Sequence, residues 1–417
     1  MKKTKVLWFS PTPALYSNKV WGHNGGGWIT SLQNIVQSAK DIDLGIAFES
    51  AQDAPNEIFD SVKYYPIVGD FGIREKFKQD NKLKKLLDKS ITIINDFNPD
   101  IIHLFGSEQW YGLLVNHTNI PIVIHMQGSL PSYYNARYPV GMSIWNKIFS
   151  TKTSLIQKLM AFRIDATFHK NALQEERILK GNHYFMGRTH WDKAIVNFYN
   201  PTSNYFVCQE ALRESFINAD RKWEYKESKK IKLISVISGP LYKGVDVILK
   251  TAKLLKDNTK LNFEWNICGT GNCALIESTY NIKARDVNVH ILGVLSEDKL
   301  TEQLLNSSFY IHPSYIDNSP NSVCEAQVLG IPIIATNVGG VSTLIKDKET
   351  GFLVPANDPL MIASIIIDNC NNKELSQQIS EASIESAMQR HNPQKIKENL
   401  TSIYNQIINI NEISNGN

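Results

Sequence analysis

Residues 231–257 read IKLISVISGPLYKGVDVILKTAKLLKD, and this stretch predicts a β-strand, a tight turn and an α-helix in direct succession. Ile and Val dominate the first eight positions, which is typical of a buried strand. Gly239 and Pro240 supply the turn, and the last twelve positions space their apolar residues three and four apart, as on one face of a helix. Strand, turn and helix in this order form the repeating unit of a parallel α/β sheet.

The same alternation of short apolar runs and helical stretches continues on both sides of this unit. In the first half we predict strands at KVLWFS, LGIAFES, DIIHLFG, PIVIHMQG, HYFMG and AIVNFYN, and in the second at FEWNICG, VNVHILG, SSFYIHPS, PIIATNVGG and GFLVPA. A polar segment with little periodicity interrupts the alternation after Asn200 and Pro201. The expected fold class is therefore α/β, with two Rossmann-like, doubly wound parallel sheets whose carboxyl ends face a shared cleft.

Composition narrows the possible classes of function. The formal charge of +3 over 417 residues is too small to indicate nucleic-acid binding. The five cysteines are scattered and form no close pair, which favours buried thiols in a reducing compartment and argues against a zinc site. The apolar run Val6–Phe9 is too short for a signal peptide, and no apolar stretch approaches the roughly 20 residues of a membrane span. We expect a cytoplasmic protein, with peripheral contact to the cytoplasmic membrane left open.

A second stretch, YIDNSPNSVCEAQVLGIPIIATNVGG at residues 315–340, carries the strongest functional signal. Ser319 is predicted as an N-cap with Pro320 at the first helical position, and Gly330 as the stop, so a helix is expected from Pro320 to Leu329. Asp317 then lies on the loop before the helix. Free N–H groups at a helix start favour an anion such as a diphosphate. The alternative is a pair of surface acids beside an ordinary helix cap.

Residues 312–340, followed by DKETGFLVPANDP, resemble the signature region of family-4 retaining glycosyltransferases (glycosyltransferase group 1), including bacterial capsular and exopolysaccharide enzymes. That family has the GT-B architecture and an acidic pair spaced E-x7-E, which Asp317 and Glu325 fit. The resemblance implies that Glu325 binds the ribose of a nucleotide and that Asp317 contacts the donor sugar. The family usually has Glu at the first position, and Asp is one methylene shorter. Because Pro320 has no N–H, the expected diphosphate contacts are Ser319, Asn321 and Ser322.

The resemblance also implies domain roles and boundaries. Residues 1–205 would bind the acceptor, residues 206–230 would be a linker, residues 231–390 would bind the nucleotide-sugar, and a helix over residues 391–417 would cross back to the first domain.

Further donor contacts are expected at the carboxyl ends of the second set of strands. Lys243 can neutralise the charge that develops on a departing diphosphate. The family usually adds an arginine five residues earlier, where this chain has Ser238. Gly269 in ICGTG, with Val294 and Leu295 in LGVL, is expected to cradle the nucleotide base. Such glycines also occur in turns that bind nothing.

The first half offers candidates on the opposite wall. Its loop GHNGGGW does not have the GxGxxG spacing of a dinucleotide site, and Gly26 and Gly27 are its expected contacts to the diphosphate or sugar. Gln127 stands where related enzymes often have a histidine, and glutamine cannot take a proton. His125, on the same side of the extended chain, is the alternative catalytic group.

Two further residues of the first half are candidate acceptor contacts. His103 and Arg188 lie at predicted strand ends, in IIHLFGSE and GRTHWD. For His125 the alternative is a core histidine bonded to the backbone. For Arg188 it is a structural salt bridge.

The sequence prediction is thus a retaining, metal-independent glycosyltransferase of hexosyltransferase type, with no cofactor. It would move a sugar from a nucleotide-sugar, a UDP- or GDP-sugar, to a saccharide or lipid-linked saccharide in cell-surface polysaccharide biosynthesis. The segment SYYNARYPVGMSIWNKIFSTK interleaves aromatic and basic residues, as at a membrane interface. The alternative function is a catalytically weak or inactive GT-B subunit that binds carbohydrate or acts as a scaffold.

Overall fold

The computed structural model describes residues 3–18, 27–39, 41–50, 54–68, 79–150, 154–271 and 273–415. These residues form two parallel α/β sheets with helices on both faces of each, so the predicted GT-B architecture is confirmed.

The first sheet has eight strands in the order β3-β4-β2-β1-β5-β6-β7-β8. All neighbours are parallel except β3 and β4, which form an antiparallel pair at the edge. The strands are β1 (Thr4–Ser10), β2 (Ile42–Ser50), β3 (Glu57–Phe59), β4 (Val62–Val68), β5 (Ile101–Phe105), β6 (Ile122–His125), β7 (Tyr184–Gly187) and β8 (Asn204–Val207). The accompanying helices are α1 (Gly27–Gln37), α2 (Gln79–Phe97), α3 (Leu130–Asn135), α4 (Ile144–Phe149), α5 (Leu155–Gly181) and α6 (His190–Tyr199).

The second sheet has six parallel strands in the order β11-β10-β9-β12-β13-β14. The strands are β9 (Ile231–Ile237), β10 (Phe263–Gly269), β11 (Val289–Gly293), β12 (Phe309–His312), β13 (Ile333–Thr336) and β14 (Phe352–Val354). The helices of this half are α7 (Glu214–Ile217), α8 (Val245–Asn258), α9 (Cys273–Tyr280), α10 (Glu297–Leu305), α11 (Asn321–Leu329), α12 (Val341–Leu344), α13 (Pro359–Asn369), α14 (Lys373–Arg390) and α15 (Pro393–Asn415).

One predicted strand of the first half is a helix. AIVNFYN lies in α6, because Thr189 and Asp192 form a capping box in which Thr189 Oγ1 accepts from the Asp192 backbone N–H at 3.1 Å and Asp192 Oδ2 accepts in return. The next strand of the sheet is instead β8. The sequence patterns do not predict β8, β3 or β4.

Two parts of the chain connect the halves: the segment that joins the two sheets, and the C-terminal helix. Cys208 packs in the core of the first half, whereas Phe216 and Trp223 pack in that of the second. Helix α15 returns to the first half, where the hydroxyl of Tyr404 accepts a hydrogen bond from Trp8 Nε1 at 3.1 Å. Among the described residues, no helix is long and apolar enough to cross a bilayer.

Candidate active site

A cavity of about 400 Å³ lies between the two sheets. Arg188 and Ser238 follow directly on the ends of β7 and β9, so the cavity lies at the carboxyl edges where open α/β sheets bind ligands. The lining residues are Gly27, Trp28, Gln127, Arg188, Arg213, Val236, Ser238, Lys243, His312, Ser319, Pro320, Asn321, Ser322 and Glu325.

Asp317 lies at the centre of a compact charged cluster beside this cavity. Its Oδ2 atom is 2.6 Å from Lys243 Nζ and 3.0 Å from His312 Nε2. Burial opposes ionisation of Asp317, but the charge of Lys243 and the hydrogen bond to His312 outweigh it and hold the pKa of this carboxyl well below its usual range. The carboxylate is therefore ionised at neutral pH and holds the lysine at the cavity wall.

Glycines fix the backbone around this cluster. Gly339 has φ +52°, and a Cβ at this position would lie 1.9 Å from the carbonyl oxygen of Asp317. The N–H of Gly340 donates to that same carbonyl oxygen at 3.0 Å. On the other side, Gly244 has φ +81°, and its Cβ would lie 2.1 Å from the carbonyl oxygen of Pro313. Only glycine allows the loop of Asp317 and the turn of Lys243 to approach so closely.

Helix α11 starts one residue later than the sequence predicts, and its N-cap is Pro320. Ser319 is not the cap, because its hydroxyl donates to Glu210 Oε1 at 2.6 Å. Since the first N–H groups of a helix have no intrahelical partner, the start of α11, where Asn321 and Ser322 line the cavity, carries the positive end of the helix dipole.

Glu325 lies in the second turn of α11 and is held by Arg213. The Arg213 Nε and Nη2 atoms both lie 2.8 Å from Glu325 Oε1, and Nη1 lies 3.0 Å from Glu297 Oε1. Burial raises the pKa of Glu325 to about 7, and the charge of Arg213 only partly offsets this. Sequence patterns do not predict a role for Arg213, because it lies in the polar segment between the two sheets.

Arg188 forms a buried ion pair with Glu210, with Arg188 Nε 3.0 Å from Glu210 Oε2. Glu210 also accepts from Cys324 Sγ at 3.4 Å, while its carbonyl oxygen lies 3.0 Å from His391 Nδ1. Glu210, Cys324 and His391 place three possible metal ligands within 4.8 Å of one another. Because the guanidinium of Arg188 already supplies a positive charge to Glu210, these contacts are explained as a buried structural hydrogen-bond network without a metal ion.

The first-half histidines are placed in the core. His103 is completely buried, and its Nδ1 lies 2.6 Å from the hydroxyl of Tyr404. This ring therefore lies in the core of the first half, against α15. His125 is also fully buried and packs edge-on against Trp28 at 4.9 Å, so Trp28, not His125, faces the cavity. Burial holds the pKa of His125 well below its usual range. Gln127 does line the cavity.

The remaining predicted contacts are divided between the cavity wall and other places. Gly27 lines the cavity, whereas Gly26 lies outside the described residues. Gly269 has φ +104°, and a Cβ at this position would lie 2.2 Å from the carbonyl oxygen of Ile237, so the packing of the neighbouring strand requires glycine here. Val294 is half exposed and Leu295 packs against the second core, and neither lines this cavity.

His312 and Trp28 line the cavity without having been assigned a role. His312 was visible in the HPS of the signature stretch, and its position at the end of β12 is the signal that could have identified it.

Comparison with known proteins assigns a family resemblance to the second half of the chain. Residues 217–386 match the family model described as Glycosyl transferases group 1. This match covers the part of the chain that contributes Lys243, Asp317 and Glu325.

The curated relatives are distant. An uncharacterized glycosyltransferase of Methanocaldococcus jannaschii is 24% identical over 336 residues, which cover 76% of this chain and 89% of that protein. N-acetyl-alpha-D-glucosaminyl L-malate synthase of Bacillus anthracis is 24% identical over 243 residues, which cover 56% of this chain and 61% of that enzyme. The second alignment thus spans less than two thirds of the relative.

Solved structures extend the similarity to both halves. Sucrose-phosphate synthase from Thermosynechococcus elongatus superposes with a TM-score of 0.73 over 98% of this chain and 100% of that one, at 13% identity. Anabaena HepE in complex with UDP and glucose gives a TM-score of 0.62 over 97% and 100%, at 12% identity. At these identities the similarity establishes the fold alone.

Proposed function

We propose that this protein is a retaining glycosyltransferase that moves a hexosyl group from a UDP- or GDP-sugar to a saccharide or lipid-linked saccharide. The observation that carries the proposal is the cluster of Asp317, Lys243 and His312 beside the start of α11, in the cavity between the two sheets. The reaction would serve cell-surface polysaccharide biosynthesis on the cytoplasmic side of the membrane, without a metal ion or cofactor.

The donor would lie along the second half of the chain. The diphosphate would accept hydrogen bonds from the amides of Asn321 and Ser322 and pair with Lys243 Nζ, which replaces the counter-charge of a metal. Asp317 holds that ammonium group at 2.6 Å and would face the sugar. Glu325, deeper in the helix, would accept hydrogen bonds from the ribose hydroxyls.

Retention follows if acceptor and leaving group share one face of the sugar. The bond from the anomeric carbon to the diphosphate oxygen breaks, and the acceptor oxygen attacks from that same side. The released phosphate oxygen takes the acceptor proton, so no separate base is required. This step is consistent with the buried position of His125 and with Gln127, which cannot accept a proton, at the cavity wall.

The proposal is tested by nucleotide binding and turnover. UDP, GDP, ADP and their sugars are screened by thermal shift, and a true ligand at a hundred times its Kd stabilises the fold by about 2.7 kcal/mol. Glu325→Ala should abolish the shift, whereas Glu381→Gln, an exposed acid on α14, should leave it unchanged. The anomeric configuration of the product, read by NMR, tests retention. If no nucleotide stabilises the protein and none is released from any sugar donor, the proposal fails.

A second candidate is a GT-B subunit that binds carbohydrate without turnover. Arg213 clamps Glu325 through two nitrogen atoms, and Ser238 stands where related enzymes usually carry an arginine. This candidate predicts saccharide binding with no nucleotide release, and Arg213→Ala would not create turnover.

A further inference from the structure

A second cavity, of about 460 Å³, lies beside the first and is walled by both halves of the chain. Phe168 of α5 lines one side, and Leu241 and Tyr242, from the turn after β9, line the other. Arg137 and Lys147 add two cations to its wall. It is therefore a largely apolar pocket with a few charged groups, as expected of a binding site for an amphiphilic ligand.

The two cations differ in their pairing. Arg137 Nε lies 2.7 Å from Asp165 Oδ1, so its charge is already neutralised. Lys147 makes no ion pair among the described residues, and its ammonium group lies 5.4 Å from the centre of the Tyr138 ring. Burial lowers the pKa of Lys147, and the charge of Asp165 offsets this shift only in part. The wall thus carries one net positive charge that an anion would balance.

The cavity is joined to the candidate active site through one turn of the chain. Tyr242 lines the second cavity, and the next residue, Lys243, lines the first. The ring of Tyr242 stacks on Tyr133 of the first half, with centroids 5.3 Å apart. A ligand in the second cavity would consequently lie beside the lysine that is proposed to hold the donor diphosphate.

Exposed apolar side chains project from α4 and the start of α5, the two helices that also contribute Lys147 and Phe168 to the cavity. Ile164 lines the cavity and is itself 59% exposed. The other exposed apolar side chains of this surface are Trp145, Phe149, Leu155, Ile156, Leu159 and Phe162. Exposed apolar patches mark interaction sites, and within this one the ring of Trp145 packs against Phe149 and Phe162.

Charge decides which partner fits the surface. In the sequence, residues 144–164 contain four cations, Lys147, Lys152, Lys158 and Arg163, and no acid. A symmetric dimer through this face would bring like charges together, whereas an anionic bilayer offers both an apolar interior and complementary headgroups.

We propose that this second cavity is the acceptor subsite, and that it takes the phosphate-bearing head of a lipid-linked acceptor from an anionic bilayer on which the apolar surface of α4 and α5 docks. The inference rests on the proposed glycosyl transfer. Lys147 binds the acceptor phosphate, the walls at Phe168 and Leu241 accept the first part of the lipid chain, and the saccharide end points past Tyr242 towards Lys243.

Vesicle co-sedimentation tests the docking step, with phosphatidylglycerol and phosphatidylcholine at equal amounts compared with phosphatidylcholine alone. The double substitution Phe149→Ser with Ile156→Ser should reduce binding to the anionic vesicles at least about tenfold, since two apolar side chains no longer insert. Phe198→Ser, an equally exposed phenylalanine on α6, is the matched control and should bind as the unmodified protein does. If the double variant binds normally, or if it changes only the oligomeric state in light scattering, the docking proposal is overturned.

Transfer assays test the pocket itself. Lys147→Gln should raise KM for a polyprenyl-phosphate-linked acceptor about tenfold while leaving KM for the nucleotide-sugar unchanged, and Lys193→Gln, an exposed lysine on α6, should alter neither. An equal rise in KM for a lipid-free saccharide phosphate would assign the lysine to phosphate alone, without the lipid. An unchanged KM for every phosphorylated acceptor would overturn the subsite. Nucleotide binding, measured separately by thermal shift, shows whether the glycosyltransferase proposal itself has failed.

Discussion

Lys243→Met removes the lysine that pairs with Asp317, and its effects on stability and on turnover can be estimated separately. Opposite charges about 4 Å apart attract by about 4 kcal/mol at an effective dielectric constant of about 20. Breaking a buried pair from one side costs about 3–5 kcal/mol. Because the Lys243 side chain is still 18% exposed, we expect a loss at the lower end, about 3 kcal/mol, in urea unfolding at pH 7.

The pH dependence of that loss has a definite sign. Lys243 and His312 hold the pKa of Asp317 below its unfolded value, so the pair contributes stability above about pH 3.9, and this contribution is lost as the pH falls through the folded pKa. The difference in unfolding free energy between the unmodified protein and the variant should therefore be full at pH 7 and narrow below about pH 4.

The effect on turnover follows from the charge that Lys243 supplies to the leaving diphosphate. Loss of a comparable group that stabilises a transition state lowers kcat by about 10²–10³-fold. Lys250→Met is the matched control: Lys250 Nζ and Asp246 Oδ2 are 2.7 Å apart and largely buried, but Lys250 lies on α8 and does not line the cavity. Both variants should lose stability, and only Lys243→Met should lose turnover. If Lys243→Met retains kcat within about threefold, or if the control loses as much, the proposed role of Lys243 is refuted.

Three further variants test other parts of the site. In the Glu325→Gln variant the side chain cannot ionise. Because burial raises the pKa of Glu325 to about 7, the unmodified protein should lose roughly 2–3 kcal/mol of unfolding free energy relative to this variant as the pH rises from 5 to 8, measured by urea unfolding. A stability difference that does not change with pH would contradict a buried, ionising carboxylate. Gly339→Ala should destabilise the protein and reduce kcat, because the added Cβ would meet the carbonyl oxygen of Asp317. Gly141 also has a positive φ but open space around it, so Gly141→Ala should cost only about 1 kcal/mol of backbone strain in thermal unfolding and leave activity unchanged. Glu210→Gln should cost about 3–5 kcal/mol, because it leaves the Arg188 charge buried without its partner, and a change under about 1 kcal/mol would show that the pair is solvated.

Sequence patterns predict the fold because the two sheets are built from local signals. The apolar run of β9, the turn at Gly239 and the helical spacing of α8 all lie within one stretch, and the structure follows them. The strand prediction for AIVNFYN is wrong because a short apolar run is compatible with either a strand or a helix. The deciding signal, the capping box of Thr189 and Asp192, was present in the sequence but lies just before the run.

The site is less predictable because its contacts join distant parts of the chain. The spacing of Asp317 and Glu325 and the glycines after β13 are local, so a motif contains them. Arg213 and Glu325 are 112 positions apart, and nothing local in the polar segment indicates that its arginine turns towards α11. His103 shows the converse limit: a strand-end position indicates nearness to the cleft, but α15 covers this face of β5 and binds the ring.

Glu210 connects the cavity to the relative position of the two halves. Its carboxylate meets Arg188 from the end of β7 and Ser319 from the loop before α11, so one buried group joins a residue of each cavity wall. Thr189, which follows Arg188 in the chain, donates a hydrogen bond from its hydroxyl to Asn318 Oδ1 at 2.7 Å and adds a second buried bond at the same place. By contrast, the bond from the Tyr280 hydroxyl to the Val140 carbonyl oxygen, near the second cavity, is exposed. Buried, charge-assisted bonds resist separation more than exposed ones do. Any relative motion of the two halves should therefore pivot near Glu210 and displace the walls of the second cavity most.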